Sequence, residues 1–75
     1  MEIVNIKLNT INDVKDFVNI TSKYDFDIDL SSGRFTVDAK SIIGILSLDL
    51  SKPIKVEIHS CCDKGLLEEI KPYII

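Results

Sequence analysis

The apolar residues of this chain change their spacing several times along its length, and this change restricts the fold more than any other feature. Val4, Ile6 and Leu8 alternate with Asn5 and Lys7, which is the two-residue period of a strand with one buried face. From Thr10 the spacing lengthens, and Val14, Phe17, Val18 and Thr21 recur at helical intervals. Thr10 stands where an N-cap belongs, with Asp13 three residues on; in that pattern a hydroxyl and a carboxylate satisfy the free amides of the first turn. Phe26, Ile28 and Leu30 then alternate with Asp25, Asp27 and Asp29, Ser31-Ser32-Gly33 supplies a turn, and Phe35 and Val37 return as the partner strand of a hairpin. Residues 41–48 read as a short helix, and Ile54, Val56 and Ile58 alternate with Lys55, Glu57 and His59 as a last strand. Asp63 is placed to cap a final helix carrying Leu66, Leu67 and Ile70, which Pro72 discourages from continuing.

The resulting order, β-α-β-β-α-β-α, predicts an α+β fold: an open-faced sandwich whose antiparallel-rich sheet is covered by helices on one side. A length of 75 residues allows one domain, 1–75, with one modest core. Asp25, Asp27, Asp29, Thr36, Lys55, Glu57 and His59 are expected on the bare face. The aspartate row there reads as the solvated side of a strand rather than as a metal site. Nine Lys and Arg against twelve Asp and Glu give a net charge of −3, and the basic residues are scattered singly. That argues against a nucleic-acid partner, which needs clustered cations. No apolar run approaches the roughly 18 residues that span a bilayer, so no membrane association is expected. The opening MEIVNIKL has neither the basic region nor the long apolar stretch of a secretory signal, which predicts a cytoplasmic protein. Cys61 and Cys62 are therefore expected as thiols, because adjacent cysteines rarely bridge and two alone build no disulfide framework.

Two stretches, TSKYDFDIDL (21–30) and VDAKSIIGILSL (37–48), resemble the segment around the regulatory serine of HPr, the histidine-containing phosphocarrier family of the bacterial phosphotransferase system. The resemblance runs over nearly the whole chain and implies the HPr fold. It also implies a protein that is not an enzyme and needs no cofactor. The family carries a phosphorylatable histidine, an arginine two residues later and then a proline at the start of the first helix. A gapless count back from Ser22-Lys23 puts Thr10 at the histidine position, Asn12 at the arginine and Asp13 at the proline, so the phosphocarrier motif is missing. A threonine can form only a stable ester, whereas the carrier chemistry needs a labile phosphoramidate on imidazole nitrogen. Asn12 withdraws a guanidinium, and Asp13 adds negative charge where an incoming phosphoryl group needs positive charge.

Other positions keep their surroundings. Ser41 matches the serine that a dedicated ATP-dependent HPr kinase phosphorylates in the family, after which a catabolite repressor binds; serine at this place is equally a good N-cap. Lys40 beside it is positioned to neutralise such a phosphate. Ile42, Ile43 and Leu46 match the apolar patch through which HPr meets its partners, and Gly44 permits close approach. A short helix with so many apolar residues cannot turn all of them inward unless it is wholly buried, and the resemblance implies that at least Ile43 and Leu46 are the exposed ones. The expected role is a docking or regulatory module whose partners are phosphotransferase-system proteins or a transcriptional regulator. A form switched by kinase phosphorylation at Ser41 is the alternative. From a different class, His59, Cys61 and Cys62 in HSCCD offer nitrogen and sulfur donors for a small metal-binding or thiol-redox protein, although a structural zinc site wants four ligands, usually with spaced cysteines. A decayed paralogue with no surviving partner completes the readings.

Overall fold

A computed structural model describes residues 2–60 and 65–75. Its elements run β1 (Glu2–Ile6), α1 (Ile11–Thr21), β2 (Ile28–Ser32), β3 (Phe35–Asp38), α2 (Ile42–Leu46), β4 (Ile54–Ile58) and α3 (Gly65–Ile70), ending in a 3-10 turn, Lys71–Tyr73. Cys61, Cys62 and the expected cap Asp63 lie outside the described residues. No helix of the described residues is long and apolar enough to cross a membrane.

The strands form one four-stranded sheet in the order β1-β4-β2-β3, with every neighbouring pair antiparallel. Its register follows from the two-residue period. Val4 faces Val56, which faces Leu30, which faces Val37, so one apolar row crosses the whole sheet. Ile6 opposite Ile54 and Ile58 opposite Ile28 make the neighbouring rows. Val14, Phe17 and Val18 of α1, Ile45 of α2 and Leu66 and Ile70 of α3 close over these rows in a single buried cluster. The helices therefore cover one face, as the alternation predicts. Slipping any strand by one residue would turn its apolar set to water, which is why the register is well determined.

Local chemistry sets the element ends. Gly33 adopts φ +60 at the first position of the two-residue hairpin loop, a conformation that favours glycine. Thr21, the polar residue on the apolar stripe of α1, is fully buried but satisfied, its hydroxyl donating to the carbonyls of Val18 and Ala39. The last residues close the β1 edge, with the Lys7 amide donating to the Tyr73 carbonyl and the Ile75 amide to that of Asn5.

The structure corrects three boundaries. Leu8 is buried but lies beyond β1. The second strand begins at Ile28 rather than Phe26, because the Lys40 ammonium takes the carbonyls of Tyr24 and Phe26 at 2.6 and 3.1 Å, and the Phe26 ring stacks at a tilt on Tyr24. Asp25 and Asp27 consequently sit in a loop, and only Asp29 of the row projects from a strand. The second helix spans Ile42–Leu46, shorter than 41–48; Ser41 caps it, and Leu48 is buried after its end.

Candidate functional site

The helix α2 and the approach to it place the residues singled out above. Ser41 holds extended backbone angles and its hydroxyl accepts from the Gly44 amide at 3.1 Å, which satisfies one of the donors that a helix start leaves free. The Asp38 carboxylate accepts from the Lys40 amide at 2.8 Å, and the Asp38 carbonyl accepts from the Ser41 amide at 3.0 Å. This double turn brings β3 directly into the helix. Lys40 itself is turned inward, its ammonium spent on the Tyr24 and Phe26 carbonyls, so it braces the loop after α1 rather than standing free beside Ser41.

The apolar run divides by face. Ile45 is fully buried, while Ile43 is 83% exposed, Leu46 43% and Ile42 38%. Residues 42 and 46 are four apart and 43 and 46 three apart, so they share one side of the helix. Gly44 lies on the inner side, where a Cβ would come within 3.2 Å of the Ser41 hydroxyl and of the Val37 side chain. The glycine thus lets α2 settle closely on β3 and leaves the isoleucine–leucine face outward. Two long-range hydrogen bonds fix this segment to its surroundings: Thr21 to the Ala39 carbonyl before α2, and the Lys7 ammonium to the Leu50 carbonyl, 2.8 Å, after it.

Beyond the end of α2 the surface dips into a cavity of about 320 Å³ lined by Ser32, Gly33, Arg34, Phe35, Ser47, Asp49 and Lys52. Phe35 is 70% exposed there. The sequence pattern marks Phe35 only as a residue of the partner strand of the hairpin. Ser51 donates to the Asp49 carboxylate through both its hydroxyl and its amide, which holds that carboxyl below its ordinary range.

The start of α1 carries a reciprocal cap. Thr10 is the N-cap: its hydroxyl accepts from the Asp13 amide at 3.1 Å, and the Asp13 carboxylate accepts from the amides of Thr10 and Asn9 at 3.3 and 3.0 Å. This is the capping box that the spacing predicts.

His59 stands apart from both helix starts. It follows β4 on the bare side of the sheet, with its Nε2 2.9 Å from an Asp29 carboxylate oxygen. Thr36, Lys55 and Glu57 occupy the same side, by the strand alternation. The convergence of Asp29, Glu57 and His59 has no local sequence signal, because it depends on β2 pairing with β4.

A family model, the PTS HPr component phosphorylation site, matches residues 12–71. The fold is similar to a crystal structure of HPr-C-His from Thermoanaerobacter tengcongensis, with a TM-score of 0.80 and 24% identity over 96% of this chain and 89% of that one. It is also similar to a phosphocarrier protein HPr from Bacillus anthracis, with a TM-score of 0.69 and 24% identity over 99% and 94% of the two chains. No curated protein sequence matches the chain significantly. At this identity the solved structures speak to the fold, and the family rests on the match from Asn12 to Lys71, which spans most of the sequence: the chain belongs to the HPr family of the phosphotransferase system, whose members are phosphocarriers and not themselves enzymes.

Proposed function

We propose that this chain acts in the phosphotransferase system as a docking or regulatory module, without carrying phosphate on a histidine. The observation that carries this reading is the outward apolar face of α2, Ile42, Ile43 and Leu46, held rigidly by Gly44 packing and by the Ser41 cap. Exposed apolar side chains on a braced helix suit a partner surface, since they can dominate affinity at little cost to the fold. Phosphotransferase-system proteins or a transcriptional regulator are the partners, and Lys40 contributes by fixing the loop from which the helix starts.

The start of α1 supports the loss of carrier chemistry. By the gapless count Thr10 takes the family histidine's place, and the Asp13 carboxylate rests on the amides of Asn9 and Thr10. The Asp13 carboxylate thus places its own negative charge at the helix start, the place that would otherwise favour an incoming anion. The sole histidine, His59, is paired with Asp29 on the opposite side of the sheet from the helices.

A second reading, a switch by kinase phosphorylation, is favoured by the position of Ser41 between the Asp38–Lys40 turn and the exposed face. A phosphate of nearly two negative charges there would change what the neighbouring patch can bind.

Incubation with phosphoenolpyruvate and Enzyme I is expected to leave no acid-labile phosphate on this protein; stoichiometric labelling that disappears in His59→Ala would make His59 a carrier and overturn the reading. Intact mass after incubation with HPr kinase and ATP, compared with Ser41→Ala, tests the switch. No mass gain, with a kinase active on an ordinary HPr, would leave Ser41 as a helix cap alone.

A further inference from the structure

The bare face of the sheet gathers donor atoms that neither the docking role nor the fold requires. Asp29 of β2 lies directly opposite Glu57 of β4, and on its other side opposite Asp38 of β3. His59 follows Glu57 by two residues and so returns to the same face, anchored by its amide donating to the Asp27 carbonyl at 3.0 Å. Its Nε2 stands 2.9 Å from Asp29 Oδ2. One donor atom from each of Asp29, Glu57 and His59 lies within 4.8 Å of the other two.

This is a mixed set of one imidazole nitrogen and two carboxylate oxygens, and its electrostatics ask for a cation. Carboxylates placed directly across strands from one another destabilise a sheet, and here three of them share a row. The Asp38 carboxylate is turned toward the Lys40 amide, and Lys55 approaches Glu57 only at 3.6 Å, which leaves Asp29 between two like charges with the imidazole as its counter-group.

We propose that Asp29, Glu57 and His59 form a binding site for one divalent transition-metal ion of the zinc type. Zinc takes imidazole nitrogen and carboxylate oxygen at about 2.0–2.2 Å, which around a tetrahedral centre separates the donors by roughly 3.3 Å. The one pair at 2.9 Å and the limit of 4.8 Å for all three donors bracket that distance. Asp29 and Glu57 stand on paired strands, and little backbone freedom is lost on binding. The imidazole separates this site from a calcium or magnesium site, which would be built from oxygen alone. Three protein ligands leave room for water in the remaining position. The side chains of His59 and Asp29 are 39% and 37% exposed, so the ion reaches them directly from solvent.

The site is tested by calorimetric titration of the full chain with zinc chloride and, separately, magnesium chloride, in parent and Cys61→Ser/Cys62→Ser backgrounds. The expected result is one zinc per chain in both backgrounds, no measurable magnesium binding, and at least a tenfold loss of zinc affinity in His59→Ala and in Asp29→Asn. Zinc affinity unchanged in both His59→Ala and Asp29→Asn would overturn the proposal, as would loss of binding in the double serine variant, which would assign the ion to the thiols. Magnesium binding equal to zinc would overturn the assigned metal class. Melting curves of the metal-free variants establish that each remains folded, and Glu57→Gln serves as a further ligand variant should either substitution unfold the chain.

Discussion

The two helix starts on the covered side of this protein use the same device and come to different ends. At α1 a threonine caps the first turn and an aspartate three residues on accepts from the amides before it, so the polar groups are turned onto one another. At α2 a serine caps the first turn with no acidic partner in that turn, and the helix continues into an exposed apolar face. One start carries its own carboxylate, and the other leaves an apolar face outward. In a family of phosphocarriers, this contrast is what the proposed docking role rests on, and the variants below are chosen to break it.

The largest expected effect separates core from patch. Phe17 is fully buried, with its ring edge against Tyr73 at a centroid distance of 6.1 Å. Phe17→Ala should cost about 3–5 kcal/mol, most of the stability of a domain this small. The Ile43→Ser/Leu46→Ser variant should instead melt within a few degrees of the parent while binding a phosphotransferase-system partner at least tenfold more weakly. Thermal melts followed by circular dichroism, paired with calorimetric titration, make the comparison. A collapse of the Ile43/Leu46 variant comparable to that of Phe17→Ala would place the patch among the core and remove the reason for calling it a docking face.

The next effect compares the caps themselves. Thr10→Ala removes an acceptor from the Asp13 amide and should cost ~1 kcal/mol, a fall of about 4–8 °C in melting temperature for a chain of this size. Ser41→Ala should cost less, because α2 is short and is held also by the buried Ile45 and the Thr21–Ala39 hydrogen bond. If Ser41→Ala proved the more damaging, the serine's retention would be explained by folding alone and the case for a regulatory serine would weaken.

How far these features were legible in the sequence depended on how local they are. The alternations of residues 4–8, 26–30 and 54–58 and the helical spacing of 14, 17, 18 and 21 identify the elements, though not all their ends, because each has one buried face; the Thr10–Asp13 box is legible because its partners are three residues apart. That some apolar residue of α2 must face outward follows from the geometry of a short helix, while the choice of Ile43 rests on the resemblance to HPr. What could not be read depends on tertiary contacts. Lys40 looks like a free cation next to Ser41, yet its ammonium serves carbonyls 14 and 16 residues away, and those bonds keep Phe26 out of the strand. The meeting of His59 with Asp29, 30 residues apart, requires the β2–β4 pairing. No spacing rule announces that pairing.

The smallest effect concerns a third junction, where the end of α1 meets α3. Both Lys23 and Tyr24 hydrogen-bond to the Glu69 carboxylate, the former as an ion pair, and these contacts, Lys23 first, hold its carboxyl below the ordinary range. A carboxylate with a lowered folded-state pKa contributes stability that is fully present above its unfolded pKa and is lost as pH falls through the folded one. The melting temperature of the parent should therefore exceed that of Glu69→Gln at neutral pH, and the gap should close as the solution is acidified below the usual carboxylate range. The gap will be small, because the lysine and the carboxylate are both substantially solvated and exposed pairs contribute little. Unlike the changes at Phe17 and Thr10, it should also shrink in high salt. A gap that stays constant through acid and salt would show that the junction depends on packing of the Tyr24 ring and not on the charge of Glu69.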